Sequence, residues 1–220
     1  MKRTIICLVA AVMTLCATTG AKAQKFGFGV KGGLNLSTWT QENGDWRVGF
    51  HVGGFANIAF NKMFAIQPEL MYSMEGCSWS VENSTTVLGT EYYANLKSRA
   101  TAHKLIVPIM FQFTPIQPLT LELGPQLGFN LSMKGHAEFE TNFPGVSNYD
   151  KDVDYDSDAY NTFEMGLAVG ARYNIAKNMS VGARYVYGLT PLFDEVEQSG
   201  VVLQDAIHTH NVMISFSYGF

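Results

Sequence analysis

The sequence lacks any apolar segment long enough for a transmembrane helix, and helical periodicity is almost absent. A helix that crosses a bilayer needs about 20 consecutive apolar residues, and the 220-residue chain contains no such run. Charged residues are also scarce, at 15% of the chain, whereas aromatic residues reach 13% and glycines number 21. A soluble globular protein of this size usually carries more charge. The composition therefore argues against a helical membrane protein and indicates apolar residues dispersed along strands.

The first 23 residues have the three parts of a secretory signal peptide. A basic Lys2-Arg3 start precedes an apolar run over residues 5–15, and Ala21-Lys22-Ala23 supplies small residues at the cleavage positions. The apolar run is too short to span a membrane as a helix. We therefore predict a cleaved signal peptide at 1–23 and an exported mature domain at 24–220.

Cysteine and positive charge become rarer still once the signal peptide is removed. Cys7 and Cys16 leave with it, so Cys77 remains alone and an intramolecular disulfide is excluded. Cys16 also raises the alternative of a lipoprotein, but Leu15 stands where lipoprotein processing needs a small residue. The loss of three basic residues changes the formal net charge from −4 to −7. Because nucleic-acid-binding proteins present basic surfaces, the sequence predicts no nucleic-acid partner.

Apolar and polar residues alternate along eight segments of the predicted mature chain. In the seventh segment, for example, Val181, Ala183 and Tyr185 alternate with Gly182 and Arg184. Period-two alternation predicts β-strands that have one apolar face. The apolar face of the fifth segment is predicted to run as far as Leu131 and Met133. The eight predicted strands cover residues 26–36, 47–60, 64–75, 104–113, 119–133, 163–173, 179–188 and 212–220.

The connections between the predicted strands alternate between short and long. Short connections follow strands two, four and six, and long connections span residues 38–46, 80–99, 135–160 and 190–207. Outer-membrane barrels combine short periplasmic turns with longer external loops in this way. Alternation alone would also suit a soluble, lipocalin-like barrel. The export signal, the even strand count and the loop asymmetry favour an all-β, eight-stranded antiparallel transmembrane β-barrel in the outer membrane.

The carboxy-terminal strand ends on three aromatic residues at alternate positions, Phe216, Tyr218 and Phe220. This pattern resembles the signal by which outer-membrane proteins are delivered to the barrel-assembly machinery. We therefore predict that machinery as a partner, together with outer-membrane lipids.

Five short motifs occur in order across the whole predicted mature chain. Together they resemble the PorT-like outer-membrane β-barrel family of Bacteroidetes, which implies an up-and-down meander of the OmpA/OmpX type and an outer-membrane location. The resemblance implies little about activity, because the family is broad, so it assigns no catalytic or binding residue. The motifs are Phe28-Gly29-Val30-Lys31-Gly32-Gly33-Leu34-Asn35, Ile66-Gln67-Pro68-Glu69-Leu70-Met71-Tyr72-Ser73, Leu105-Ile106-Val107-Pro108-Ile109, Gly124-Pro125-Gln126-Leu127-Gly128, and Val181-Gly182-Ala183-Arg184-Tyr185 with Gly188-Leu189-Thr190.

Charges of both signs lie on the predicted inward faces of the strands. The lumen of an eight-stranded barrel is just wide enough for side chains to fill it. Because unpaired buried charges are very costly, we expect these residues to pair with one another and to plug the lumen. A narrow conducting path is the alternative. The predicted lumen charge network consists of Lys31, Arg47, Glu69, Glu122, Glu164, Arg172 and Arg184, and Glu75 lies on the same predicted face.

The third long loop carries aspartates at alternate positions and is the weak candidate for a metal site. Several carboxylate oxygens suit a hard cation such as Ca²⁺, but a solvated acidic loop explains the same pattern, and the EF-hand spacing is absent. His208 and His210 form a conceivable metal pair that has no evident third ligand. The sequence therefore predicts no cofactor. The candidate calcium ligands are Asp150, Asp152, Asp154, Asp156 and Asp158.

Three classes of function remain at this point. The first is a structural or interaction protein of the cell envelope, which has acidic external loops and acts in adhesion or secretion through an envelope or extracellular protein partner. The second is a narrow channel for small solutes or ions. A lipid-modifying barrel enzyme is a distant third, because it needs a nucleophile beside a histidine and a carboxylate. The residues available for such a site are Ser80, His103, His136 and His208. We predict that the protein is not an enzyme.

Overall fold

A computed structural model describes residues 25–40, 44–87, 90–156, 159–194, 196–198 and 201–220. The predicted signal peptide at 1–23 lies outside these residues. Within the part that is described, no helix is long and apolar enough to cross a membrane. The described residues form eleven strands: β1 Lys25–Trp39, β2 Asp45–Ala59, β3 Phe64–Val87, β4 Thr90–Ile116, β5 Leu119–Thr141, β6 Tyr149–Tyr155, β7 Phe163–Ala176, β8 Met179–Gly188, β9 Val196–Gln198, β10 Val201–Gln204 and β11 Thr209–Gly219.

Eight of these strands form an antiparallel sheet that closes on itself. The neighbours follow the order β4-β3-β2-β1-β11-β8-β7-β5, and a further pairing between β4 and β5 completes the ring. The predicted eight-stranded antiparallel meander is therefore confirmed. Strand β6 pairs with the outer part of β5 and does not belong to the ring. The small strands β9 and β10 pair only with each other.

The two ends of the ring differ in the connections that they carry. Short links after β2, β4 and β7 lie at one end, here called the turn end, together with the start of β1 and the end of β11. In the first of these links the Asn61 side-chain oxygen accepts hydrogen bonds from the backbone N–H groups of Met63 and Phe64, both at 2.8 Å. An asparagine side chain that bonds the backbone two residues ahead stabilises a tight turn. The longer connections lie at the opposite end, here called the loop end.

Two of the four predicted long loops are wrong, because strands extend through them. Residues 80–87 and 90–99 continue β3 and β4 as paired strands whose register is regular from Met71↔Ile106 to Val87↔Thr90. Residues 135–160 contain the end of β5 and all of β6. These extensions stand beyond the ring as a four-stranded sheet, here called the projecting sheet, which comprises residues 79–87, 90–99, 134–141 and 149–155.

The faces of the ring are apolar outside and mostly polar inside. Phe28, Leu34, Val48 and Phe111 are each between 57% and 61% exposed on the outer surface. Lys31, Asn35, Glu69 and Glu122 are buried on the inner side of the ring. This arrangement inverts that of a soluble barrel, and a closed sheet with an apolar exterior satisfies its backbone groups within lipid.

A β-bulge in β5 changes which face its outer half presents. His103 pairs with Ser132 and Lys104 pairs with Asn130, so Leu131 is an extra residue in the strand. Because one inserted residue reverses the alternation, Leu131 is 55% exposed whereas Met133 is buried inside at 2%. The prediction that Met133 shares the outer face of Leu131 is therefore wrong.

Glycines on the inner face allow strands and side chains to pack closely. A Cβ at Gly33 would collide with the carbonyl oxygen of Ile214, and a Cβ at Gly53 would collide with that of Leu70. Both positions therefore require glycine, as expected where one backbone closely approaches another.

Candidate functional site

The lumen nearest the turn end holds a cluster of five charged side chains, here called the turn-side charge layer: Lys31, Glu69, Glu122, Arg172 and Arg184. Glu69 lies at its centre. Its carboxylate accepts a hydrogen bond from Lys31 Nζ at 2.9 Å and a bidentate pair from Arg184 Nη1 and Nη2 at 2.9 and 2.8 Å. Fork-to-fork pairing of arginine with a carboxylate is among the stronger and more directional interactions in proteins. The geometry fixes β1, β3 and β8 relative to one another across the lumen.

Glu122 connects the same layer to β7. Its Oε2 atom lies 2.9 Å from Arg184 Nη2, and its Oε1 atom lies 3.6 Å from Arg172 Nη1. The Gln112 side-chain amide also donates a hydrogen bond to Oε1 at 3.0 Å. The layer therefore joins three cations to two carboxylates, and its formal charge is +1.

A second cluster, here called the loop-side charge layer, consists of Glu75, Lys104 and Glu164. Lys104 Nζ lies 3.2 Å from Glu75 Oε2 and 3.0 Å from Glu164 Oε1. The Asn130 side-chain amide donates to Glu164 and the Asn211 amide donates to Glu75. One cation serves two carboxylates, so the formal charge of this layer is −1 and the two layers together are neutral.

A histidine lies in the same lumen. His51 Nδ1 donates to Asn35 Oδ1 at 2.8 Å, and its Nε2 lies 2.9 Å from the Ser215 hydroxyl. Serine, histidine and asparagine are also the parts of an activated nucleophile. Here, however, Asn35, His51 and Ser215 are at most 5% exposed. Because no substrate reaches a serine this deeply buried, the three residues link β1, β2 and β11 structurally.

Apolar side chains fill the rest of the lumen in two groups. One is an inner apolar cluster of Met71, Ile106, Met110, Ala168, Val186 and Met213. The other, here called the apolar cap, contains Trp39, Cys77, Ala100, Ala102, Met133, Tyr160, Leu192 and Ile207. Leu192 and Ile207 lie in the last long connection, where the backbone N–H of Leu192 bonds the carbonyl of Ile207 at 2.7 Å. Through Leu192 and Ile207, the last long connection packs against the loop end of the lumen.

Two cavities are associated with the lumen of the described residues. One of about 20 Å³ lies beside Glu75, Lys104 and Glu164. Because one water molecule needs at least about 10–15 Å³ of such space, this cavity has room for a single water. The other, of about 270 Å³, opens at the turn end and includes Arg172, Asn57 and Phe220 in its lining.

The structure brings together most of the predicted lumen charges, but it places Arg47 apart from both layers. Arg47 is half-buried near the loop end, and its Nη1 donates to the Ala100 carbonyl at 2.9 Å. Among the described residues it forms no ion pair with a carboxylate, so its predicted place in the charge network is wrong. The reason is its height in the barrel, since Arg47 lies opposite Ser37, four positions nearer the loop end than His51.

Sequence reasoning did not select Lys104 for the network. The predicted fourth strand places Lys104 on its polar face with Pro108 and Gln112, but Lys104 is followed by the continuous apolar run of Leu105, Ile106 and Val107 and is not included among the predicted lumen charges. Ile106 belongs to the inner apolar cluster, which explains why an inward position carries an apolar residue. The available signal was the two-residue spacing that places Lys104, Ile106, Pro108 and Met110 on one face.

The candidate calcium ligands do not gather around a point. Asp150, Asp152 and Asp154 occupy alternate positions of the extended strand β6, opposite Glu138, His136 and Lys134. His136 lies 3.4 Å from Asp150 and 2.8 Å from Asp152, so a basic side chain already engages two of these carboxylates. Asp156 is exposed beyond the strand, and Asp158 lies outside the described residues. The described part of the chain contains no group of three metal-binding side chains, so the predicted calcium site is not assembled.

The histidines considered for catalysis or metal binding occupy separate places. His103 Nδ1 lies 2.6 Å from the Tyr72 hydroxyl, and His208 Nδ1 donates to the Gly188 carbonyl at 2.9 Å. His210 lies 2.6 Å from the Tyr185 hydroxyl rather than sharing a ligand with His208. Ser80 pairs with Lys97 across β3 and β4, and none of its described hydrogen bonds involves a histidine.

The three aromatic residues of the predicted assembly signal all point outward. Phe216 is 47% and Phe220 is 79% exposed, and Tyr218 shares their face on β11. The Phe220 backbone N–H still bonds the Phe28 carbonyl at 2.8 Å, which ties the carboxy terminus to β1.

Residues 22–194 match the protein family described as "Outer membrane protein beta-barrel domain". The chain belongs to this family. Its apolar exterior and closed ring accordingly lie in the outer membrane. A comparison with curated proteins finds no match.

Solved structures of outer-membrane proteins resemble the chain at low sequence identity. Neisserial surface protein A is 14% identical over 90% of this chain and 100% of its own, with a TM-score of 0.43. Ail, the attachment invasion locus protein of Yersinia pestis, is 14% identical over 89% of this chain and 99% of its own, with a TM-score of 0.42. A major outer membrane protein from Thermus thermophilus is 12% identical over 89% of this chain and 100% of its own, with a TM-score of 0.47.

Proposed function

We propose that this outer-membrane barrel has a closed lumen and acts through the surface that it presents, in a structural or interaction role. The observation that carries the proposal is the pair of charge layers, in which eight charged side chains from six strands cross-link the lumen. The apolar cap above them excludes water from the loop end. A filled lumen contributes to the stability of the barrel and leaves no aqueous path through it.

The projecting sheet is the surface that we assign to interaction. In this class of barrel the longer connections are extracellular, so we place the loop end outside the cell. The lumen-side face of the projecting sheet continues as an apolar surface on which Val81, Tyr149 and Val153 are 40–49% exposed. Phe139 and Tyr149 stack there at 5.4 Å between ring centroids. Exposed aromatic and aliphatic surface of this kind suits an envelope or extracellular protein partner.

The edges of the projecting sheet support the same role. Strand β6 pairs with β5 on one side, and residues 79–87 of β3 pair with β4 on one side. Unpaired strand edges offer backbone groups to an added strand from another protein. Charged side chains on the edge strand β6, among them Lys151 and Asp152, protect it against self-association.

Conductance in a planar lipid bilayer tests the closed lumen. We expect wild-type barrel to show no stable conductance, because side chains occupy the lumen. The Arg184→Ala variant should also remain closed, since Lys31 and Arg172 still contact the neighbouring carboxylates. A stable conductance in the wild-type protein, with ion selectivity that changes in the variant, would establish the narrow-channel alternative instead.

We further infer that residues 1–23 are a cleaved export signal and that the aromatic terminus is read by the barrel-assembly machinery. The outward position of Phe220 at the turn end supports this assignment, because 79% of the residue is exposed and available to another protein. Removal of Phe220 should slow insertion and expose the chain to periplasmic proteases. Outer-membrane levels equal to those of wild type at low expression would mean that this residue only packs against the strand.

Within the family, we propose that the chain belongs to the PorT-like barrels of Bacteroidetes. The support is the ordered set of motifs, three of which carry inward charges of the turn-side charge layer, Lys31, Glu69 and Arg184. Because PorT is tied to a secretion system, the test is whether deletion of the gene reduces secretion in its native host. An envelope defect with unchanged secretion would favour the adhesion or integrity role.

A further inference from the structure

The larger cavity, here called the turn-end vestibule, opens at the turn end of the barrel directly below the turn-side charge layer. Its volume is about 270 Å³, which is room for several water molecules at roughly 30 Å³ each. The polar residues of its lining are Asn57, Gln67, Arg172, Asn174, Lys177, Asn178, Ser180 and Ser217. No acidic side chain belongs to that lining among the described residues.

Hydrogen-bond donors outnumber acceptors at the inner end of the vestibule. The single side-chain oxygen of Gln67 accepts hydrogen bonds from Asn57 Nδ2 at 3.2 Å, Gln112 Nε2 at 2.8 Å and Arg172 Nη1 at 2.9 Å. Arg172 Nε is buried and has no partner among the described residues. Because buried donors normally find an acceptor, this arrangement indicates a shortage of acceptor atoms.

The charged residues around the vestibule also carry an excess of positive charge. The turn-side charge layer has three cations and two carboxylates, and Arg172 is its most loosely paired member, 3.6 Å from Glu122. Its side chain is 13% exposed, so it reaches from the layer into the vestibule. Lys177, in the short link between β7 and β8, adds a second positive charge to the lining.

We propose that the turn-end vestibule is a binding site for a compact oxyanion of the phosphate class. Such an anion adds acceptor oxygens beside Gln67 Oε1, which already accepts three hydrogen bonds, and it neutralises the positive charge of the turn-side charge layer. The Arg172 guanidinium matches two phosphate oxygens in its fork geometry, while Lys177 contributes a mobile point charge. The turn end faces the periplasm in this class of barrel, so the anion comes from free phosphate or from the headgroup of a lipid phosphate monoester.

Calorimetric titration of the folded, full-length mature barrel with inorganic phosphate tests the site. The barrel is held in a neutral maltoside detergent, and sodium chloride of equal ionic strength serves as the reference. We expect phosphate to bind and chloride to give no comparable heat. The Arg172→Gln variant should bind at least about tenfold more weakly, since a charge-assisted hydrogen bond contributes that much to affinity.

Three further variants keep the test decisive. Lys62→Gln removes a basic residue from another turn at the same end, outside the vestibule, and should bind phosphate like wild type. Lys177→Gln should give a smaller loss than Arg172→Gln. If Arg172→Gln does not fold, Arg172→Lys retains the charge without the fork and should show a weakened but measurable affinity. Equal binding of all variants, or phosphate heats no larger than those of chloride, would overturn the proposal.

The source of the anion is resolved by repeating the titration in lipid nanodiscs. In discs of phosphatidylcholine alone, free phosphate should bind as it does in detergent. If a lipid headgroup is the natural ligand, discs that contain phosphatidic acid should abolish the phosphate heats of wild-type barrel. If free phosphate is the ligand, the same lipid should leave its binding unchanged.

Discussion

The lumen and the projecting sheet use the same kinds of charged residue in opposite surroundings. In the lumen, Lys104 and its two carboxylate partners have side chains that are at most 7% exposed. In the projecting sheet, His136 contacts Asp150 and Asp152, whose side chains are 71% and 90% exposed. Buried pairs become costly when one partner is lost, whereas solvent screens exposed pairs. The comparison indicates that the stability of the barrel depends more on the charge pairs of the lumen than on those of the projecting sheet.

The largest effect is expected from Lys104→Met. Methionine keeps much of the side-chain volume but removes the one cation that serves both Glu75 and Glu164. Leaving buried carboxylates without a partner should cost about 3–5 kcal/mol. The measurement is urea unfolding of the barrel in lipid vesicles, followed by the gel-mobility difference between folded and boiled protein. Lys97→Met, on the exposed part of β4, is the matched control and should leave the midpoint unchanged.

A combined variant separates charge from packing at the same site. Lys104→Met together with Glu75→Gln and Glu164→Gln removes every charge of the loop-side charge layer. Because neutral groups of similar shape need no counter-charge, this variant should recover most of the lost stability. If it is no more stable than Lys104→Met alone, the effect arises from packing and the contrast with the projecting sheet is not electrostatic.

Arg184→Ala should have a smaller effect, although Arg184 makes more contacts. Its removal breaks the bidentate contact to Glu69 and the contact to Glu122. Lys31 remains on Glu69 and Arg172 remains near Glu122, so two cations still serve two carboxylates. We expect a loss of about 2–3 kcal/mol in the same unfolding assay. A loss larger than that of Lys104→Met would mean that the number of contacts, rather than the balance of charge, determines stability.

Period-two alternation was sufficient to predict the ring of strands and the inward direction of residues such as Arg172 and Arg184. It works there because lipid requires an apolar outer face while the lumen accepts polar residues, so the two faces differ strongly. It failed for residues 80–99, because a strand outside the membrane has no such requirement and its Ser, Thr and Asn residues read as a loop. The partners of each charge also remained hidden, since pairing depends on register across strands that are distant in sequence.

The β-bulge at Leu131 marks the limit of the alternation argument. Leu131 and Met133 are both apolar, so the pattern across them continues smoothly in the sequence. Only the pairing with β4 reveals the inserted residue, which moves Met133 into the apolar cap. The bulge lies near the level where the ring gives way to the projecting sheet, and it sets which face of that sheet is apolar.

Shortening the β3–β4 hairpin tests whether the projecting sheet is independent of the ring. Replacing residues 82–95 by a two-residue turn removes the tip, while both charge layers and the apolar cap keep all of their residues. We expect the free energy of unfolding to change by about 1 kcal/mol or less, since the removed segments contact each other and residues 140–143 of the projecting region rather than the lumen. A large loss of stability, or failure to form the heat-modifiable barrel, would show that the hairpin supports the lumen.

The smallest effect is expected from His136→Ala. The substitution removes contacts of 3.4 and 2.8 Å to two aspartates that are largely solvated, so each carboxylate regains water when the imidazole is lost. Exposed pairs of this kind contribute about 0–1 kcal/mol, and the loss should fall further in high salt. Urea unfolding at low and high ionic strength measures both quantities. Ala137→Ser, on the opposite face of the same strand, is the control for a local change in the projecting sheet. A loss of several kcal/mol in His136→Ala would contradict the comparison, because the exposed sheet would then be as dependent on its charge pairs as the lumen.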